Sequence, residues 1–102
     1  MIRITVLYPN SDGAKFDMGY YTGKHMPMAK ARLPGCRSVG ADLGMAGGTP
    51  GSKPTYIAIG YLTFDSVADF EKAFAQNGAE VIADVPNYTN VQPVLQINEV
   101  KL

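Results

Sequence analysis

A second cysteine is missing from this chain of 102 residues, so Cys36 has no intrachain disulfide partner and no thiolate companion for a metal site. A second histidine is missing too. His25 stands alone, and a metal held within one subunit would have to draw its other ligands from carboxylates. Charge of one sign is not in excess: nine basic residues balance nine acidic ones. No run of lysine or arginine marks a nucleic-acid footprint. No apolar stretch approaches the length of a membrane span, and Met1-Ile2-Arg3-Ile4-Thr5-Val6 lacks the regions of a signal peptide. The expectation is one cytoplasmic domain over residues 1–102, with no membrane or nucleic-acid partner. What the chain holds in quantity is apolar, 46% hydrophobic residues against 18% charged. In so small a domain, part of that surface is expected to be buried between subunits.

The pattern along the chain alternates between the two periods. Ile2 to Tyr8 reads as a strand, with Ile2, Ile4 and Val6 alternating against Arg3, Thr5 and Leu7. From Phe16 to Leu33 the spacing is helical, and Met18, Tyr21, His25, Met28, Ala29 and Arg32 fall on one broad stripe before Pro34-Gly35 stops it. Cys36 to Leu43 has strand character. The breaker-rich stretch from Gly44 to Pro54 is too long for a tight turn and is expected to be a mobile loop able to cover a cleft. Tyr56 to Phe64 is the strongest strand. Asp65-Ser66 supplies a helix cap, Val67, Phe70 and Phe74 follow at helical spacing, and Asn77-Gly78 is expected to end that helix. Ala79 to Val85 adds one short turn before Pro86. A last strand is expected from Asn90 to Val100, with Val91, Leu95 and Ile97 on one face and Pro93 at an edge or bulge.

This βαββαβ order predicts an α+β ferredoxin-like fold, a four-stranded antiparallel sheet with two helices on one face. The other face has no cover. As an apolar surface it would call for a second copy, and two sheets packed face to face about a two-fold axis form a dimeric α/β barrel.

The segment Phe16 to Met28 carries most of the chemistry. His25 lies at the centre of the apolar stripe, one turn after Tyr21, and should point between helix and sheet, where burial favours the neutral imidazole able to accept a proton. Pro27 has no N–H for the Gly23 carbonyl, so a kink and a free carbonyl are expected beside the histidine. A lone histidine on such a face is also often a core residue held by one buried hydrogen bond. Gly23, His25 and Pro27 each cost a helix stability without helping a core, which is the pattern of a functional site. Met18, Met28 and Arg32 on the stripe, and Tyr61 on the third strand, are the candidate ligand-binding residues. Cys36 reads as a small buried residue. Gly44 to Gly51 lacks the Gly-Lys-Ser/Thr ending of a phosphate loop. Gly60 to Phe64 has the aromatic character of an RNA-recognition strand, against which the neutral charge and absent basic flanks argue.

Phe16, Tyr20-Tyr21, Lys24-His25 and Met26-Pro27, with Tyr8-Pro9, the aspartate-led second helix and Pro86-Asn87-Tyr88-Thr89-Asn90, resemble the EthD family of the dimeric α/β-barrel superfamily. The resemblance spans the chain. It implies a homodimer with one ligand cleft between sheet and helices in each subunit. It also implies a helix histidine that acts as acid or base without metal or organic cofactor. Such relatives include lactone isomerases, proteins linked to oxidative ether breakdown, and enzymes that cyclise or decarboxylate aromatic polyketides. Only His25 carries over by motif position; Tyr21 and Tyr61 are assigned on geometry. Three functions follow in order of preference. The first is a cofactor-independent acid–base enzyme, of isomerase, cyclase or decarboxylase type, acting on a small hydrophobic oxygenated compound through His25 and Tyr21. The second is a non-catalytic protein sheltering such a compound for a partner oxygenase. The last is an RNA-binding module.

Overall fold

Alternation along the first strand decides the layering. In the computed structural model, which describes Met1–Leu102, β1 (Ile2–Pro9) buries Ile2, Ile4, Val6 and Tyr8 and turns Arg3, Thr5 and Leu7 to the opposite face. Beside it runs β3 (Tyr56–Phe64), with Leu62 opposite Ile4 and Gly60 opposite Val6. The edges are β2 (Ser38–Leu43) and β4 (Val94–Glu99), giving the order β2-β3-β1-β4 with every neighbouring pair antiparallel. Helices cover the Ile4 face only. Tyr21, Met26, Ala29 and Leu33 from the first helical segment meet Phe70 and Ala73 from α3 (Val67–Ala83) over Ile4, Val6 and Leu62 in one buried cluster. This is the α+β ferredoxin-like sheet with two helices on one face that the element order predicts. No helix is long and apolar enough to cross a membrane.

The first helical segment differs from the expected kinked helix. Asp17 caps α1 (Met18–Tyr20) by accepting from the Tyr20 N–H at 3.0 Å. A π-helical turn, Tyr21–His25, follows at once and runs into α2 (Met26–Arg32). The Met26 N–H bonds back to the Tyr21 carbonyl, five residues away. Pro27 accounts for the wide turn, because it cannot donate to Gly23 and its ring would crowd that carbonyl in a regular helix. The extra residue moves the inward stripe one place downstream. Met26, Ala29 and Leu33 are buried, while Met28 is half-buried and Arg32 exposed.

Asn77-Gly78 does not end the second helix. α3 continues through both residues to Asp84, its C-cap. A Cβ at position 78 would sit 2.7 Å from the Phe74 ring, so glycine there leaves that ring in place without breaking the helix. Asn77 instead donates to the Arg32 carbonyl at the end of α2. A short 3₁₀ turn, Val85–Asn87, follows, and β4 begins only at Val94, after Pro93. The stretch from 44 to 55 is tied to the sheet end, with Gly44 N–H on Ile57 O and Asn10 N–H on Thr55 O.

The uncovered face is also less apolar than expected. Leu7, Ile59 and Val94 meet at one end of it, but Arg3, Thr5, Ser38, Tyr61, Thr63, Gln96 and Asn98 occupy the rest. Leu95 and Ile97 lie opposite Val6 and Ile4, on the helix side, where the edge strand reaches past the helices and leaves them 46% and 43% exposed.

Candidate functional site

The π turn stacks Tyr21 and His25, ring centroids 5.3 Å apart and planes 12° off parallel, and buries the imidazole to 4% exposure. Across from it, the end of α3 delivers Asp84, whose Oδ2 lies 2.9 Å from His25 Nδ1. The other carboxylate oxygen accepts from Tyr20 Oη at 2.7 Å and from Asn87 Nδ2 at 2.9 Å. Burial works to raise the Asp84 carboxyl, but hydrogen bonds from Asn87, His25 and Tyr20 outweigh it and hold the group below its ordinary value. An ionised carboxylate can only accept, so the proton of a neutral His25 sits on Nδ1 and the lone pair on Nε2.

That lone pair faces a chain of phenols. Tyr88 Oη is 3.4 Å from Nε2, Tyr8 Oη is 2.7 Å from Tyr88 Oη, and Tyr21 Oη is 3.5 Å from Tyr8 Oη. Burial pushes all three hydroxyls far above the usual phenol range, so each keeps its proton. Gly60 makes room for them, since a Cβ there would overlap the Tyr21 hydroxyl.

Beside this chain lies a cavity of about 170 Å³, walled by aliphatic and aromatic groups such as Val6, Met26, Leu62, Phe74, Val85 and Leu95, with no charged side chain in its lining. His25, Tyr8, Tyr21 and Tyr88 all face it. On the far side of the dyad, Asp84 lines an open polar groove together with Tyr20, Lys24, Met28, Arg32, Glu80 and Asn87. The His25–Asp84 pair therefore stands between an apolar cavity and an open polar groove.

Of the residues expected at the site, His25 and Tyr21 are brought together. Met18 packs half-buried against the core without lining the cavity. Met28 and Arg32 lie in the outer groove, where Arg32 Nε is 3.4 Å from Glu80, because the π turn rotates them away from the sheet. Tyr61 is on the opposite sheet face, with Oη donating to Asp42 at 2.7 Å; the period of two assigns it there, next to Thr5 rather than Val6. Residues 44 to 55 do not contribute to the cavity, so this loop is no lid over it. Cys36 is half-buried, and burial raises its thiol. No three His, Cys, Asp or Glu side chains converge to hold a metal ion. Asp84, Tyr88 and Tyr8 were not foreseen as site residues. Tyr8 and Tyr88 do sit in two of the segments that carry the family resemblance, which is the signal that points to them.

Comparison with known proteins gives concordant results. A family model described as the EthD domain matches residues 13–92. An uncharacterized 11.0 kDa protein from the thcB-thcC intergenic region of Rhodococcus erythropolis is 33% identical over 92 residues, 88% of this chain and 85% of that one. The crystal structure of an EthD-like protein from Ralstonia eutropha is 42% identical, with a TM-score of 0.94 over 99% of this chain and 92% of its own. A dimeric protein of unknown function and ferredoxin-like fold from Bacteroides fragilis superposes at a TM-score of 0.61 over 97% of this chain and 95% of its own; at 14% identity the likeness is one of fold.

Proposed function

The chain belongs to the EthD family, and from that premise we propose that it binds a small hydrophobic oxygenated compound in the His25 cavity and moves a proton at His25 Nε2, without metal or organic cofactor. One observation carries the reading. Asp84 Oδ2 lies 2.9 Å from His25 Nδ1, which places the proton of a neutral imidazole there and turns a buried Nε2 acceptor toward a cavity without Lys, Arg, Asp or Glu in its lining. A substrate C–H next to a carbonyl or lactone gives its proton to Nε2. Asp84 then faces the imidazolium that forms, and the Tyr88 hydroxyl donates to the substrate oxygen as negative charge develops there. Return of the proton to a different carbon completes an isomerisation. Acid–base help of this kind is worth about 10²- to 10⁴-fold.

Exchange of solvent deuterium into small ketones and lactones, followed by NMR, tests the step. Wild-type protein should catalyse exchange, and His25→Ala should lose roughly 10²- to 10⁴-fold in rate while keeping its circular dichroism spectrum. Equal rates in the two proteins would exclude the role.

The apolar lining of the cavity also favours a second reading, a non-catalytic carrier that shelters an intermediate of an oxidative pathway for a partner oxygenase. Mass spectrometry of retained ligand separates the two: a carrier returns its ligand unchanged. In either case we propose a cytoplasmic homodimer. Leu95 and Ile97, on the helix side of the edge strand, are 46% and 43% exposed, and Leu95 also lines the cavity, so a second copy over that edge would cover apolar surface continuous with the site. A single-subunit mass under gentle native conditions would contradict this.

A further inference from the structure

We infer that the His25 cavity selects a single-ring compound bearing a free hydroxyl, a phenol or a cyclic enol, whose oxygen bridges His25 Nε2 and Tyr88 Oη. The inference rests on the proposed reading of this cavity as the ligand site and narrows it to a chemical class. Volume sets the size. The cavity holds about 170 Å³, and a dry cavity of about 150 Å³ lined by aliphatic and aromatic side chains accommodates one benzene ring. One ring with a small substituent matches that space.

Hydrogen-bonding capacity sets the functional group. In a neutral imidazole with its proton on Nδ1 toward Asp84, Nε2 offers only an acceptor, and Tyr88 offers its proton when Tyr8 donates across the 2.7 Å contact between their hydroxyls. The two atoms are 3.4 Å apart, a long contact for a hydrogen bond between them. A ligand hydroxyl can donate to Nε2 and accept from Tyr88 at once. An ether oxygen satisfies only Tyr88 and leaves Nε2 unpaired in an apolar wall, where a buried unpaired acceptor is costly, whereas a ketone matches the pair once it enolises. Charge sets the last limit. No Lys or Arg lines the cavity and Asp84 stands directly behind His25, so a carboxylate ligand would be desolvated without a partner.

The test uses the full chain, ¹⁵N-labelled, titrated separately with phenol, anisole, toluene, naphthol and benzoate. His25 is the only histidine, so the imidazole nitrogen signals belong to one residue; thermal unfolding gives a second readout. Phenol should move the Nε2 signal and raise Tm, binding about tenfold more tightly than anisole or toluene, the increment expected of one hydrogen bond. Naphthol and benzoate should do neither. Naphthol binding as well as phenol would overturn the size limit, and anisole matching phenol would overturn the hydroxyl requirement. In both of those cases a moving imidazole signal would still uphold the cavity as a ligand site. If no probe moves the imidazole signals or Tm, the cavity is not a ligand site, and this inference fails together with the reading beneath it.

Discussion

On the helix-covered face of the sheet Tyr8, Tyr21 and Tyr88 crowd around His25 with their hydroxyls in one chain, whereas on the open face Tyr61 lies half-exposed with its hydroxyl on Asp42. Both faces carry phenols and carboxylates. Burial on the covered face leaves the hydroxyls and the imidazole to pair with one another, so removing one strands a neighbour. The open face pairs Ser38 with Thr63 and Asn98 with Thr5, but these contacts are only part-buried and Ser38 is exposed to solvent. Position on the sheet, more than residue type, decides whether a hydroxyl is a structural constraint or an exchangeable contact.

The largest contrast should appear on truncating the tyrosines. Tyr88→Ala is expected to cost about 3–5 kcal/mol in urea denaturation, as for a buried aromatic, and Tyr61→Ala less than about 1 kcal/mol. Similar losses would break the comparison. Next come the glycines opposite each set. Gly60→Ala drives a methyl into the Tyr21 hydroxyl and should cost about 1–3 kcal/mol. Gly40→Ala brings a methyl only to 3.6 Å from the Tyr61 ring, and its unfolding midpoint should stay within about 0.5 kcal/mol of wild type.

The smallest effect is in the acid limb. A hydrogen bond from Arg37 holds Asp65 below its ordinary value, and three donors do the same for Asp84 against its burial. A carboxyl with a lowered folded value leaves the unfolded chain to bind the proton first. The stability each contributes is therefore complete above a carboxylate pKa of about 4 and is lost as pH falls through the folded value. Asp84→Asn should flatten the acid limb at any ionic strength, since the pair is mostly buried. The effect of Asp65→Asn, at an exposed ion pair, should fade in roughly 0.5 M salt. Denaturation midpoints from acid to neutral pH measure both, and equal salt sensitivity would erase the distinction between the two sites.

Much of this arrangement was legible along the chain because it depends on short-range period. Alternation in Ile2 to Val6 sets which side of the sheet is covered, and the change to helical spacing at Phe16 brings Tyr21 and His25 to that side. Tyr61 was misplaced for a definable reason. Ile57 and Ile59 make the third strand apolar on both faces, so its alternation does not announce which face is covered. Met28 and Arg32 were misplaced because one wide turn, forced by Pro27, rotates everything after it.

The sequence by itself determined the element order, the ferredoxin-like α+β fold, the family, and the single inward-facing histidine, all of which follow from local patterns or nearby motifs. Only the tertiary structure decided what His25 touches. Asp84 and Tyr88 lie 59 and 63 residues away from it, and they arrive there because α3 runs on through Asn77-Gly78 to Asp84. Residues that far apart meet only when the elements between them have packed, and no local period records that meeting.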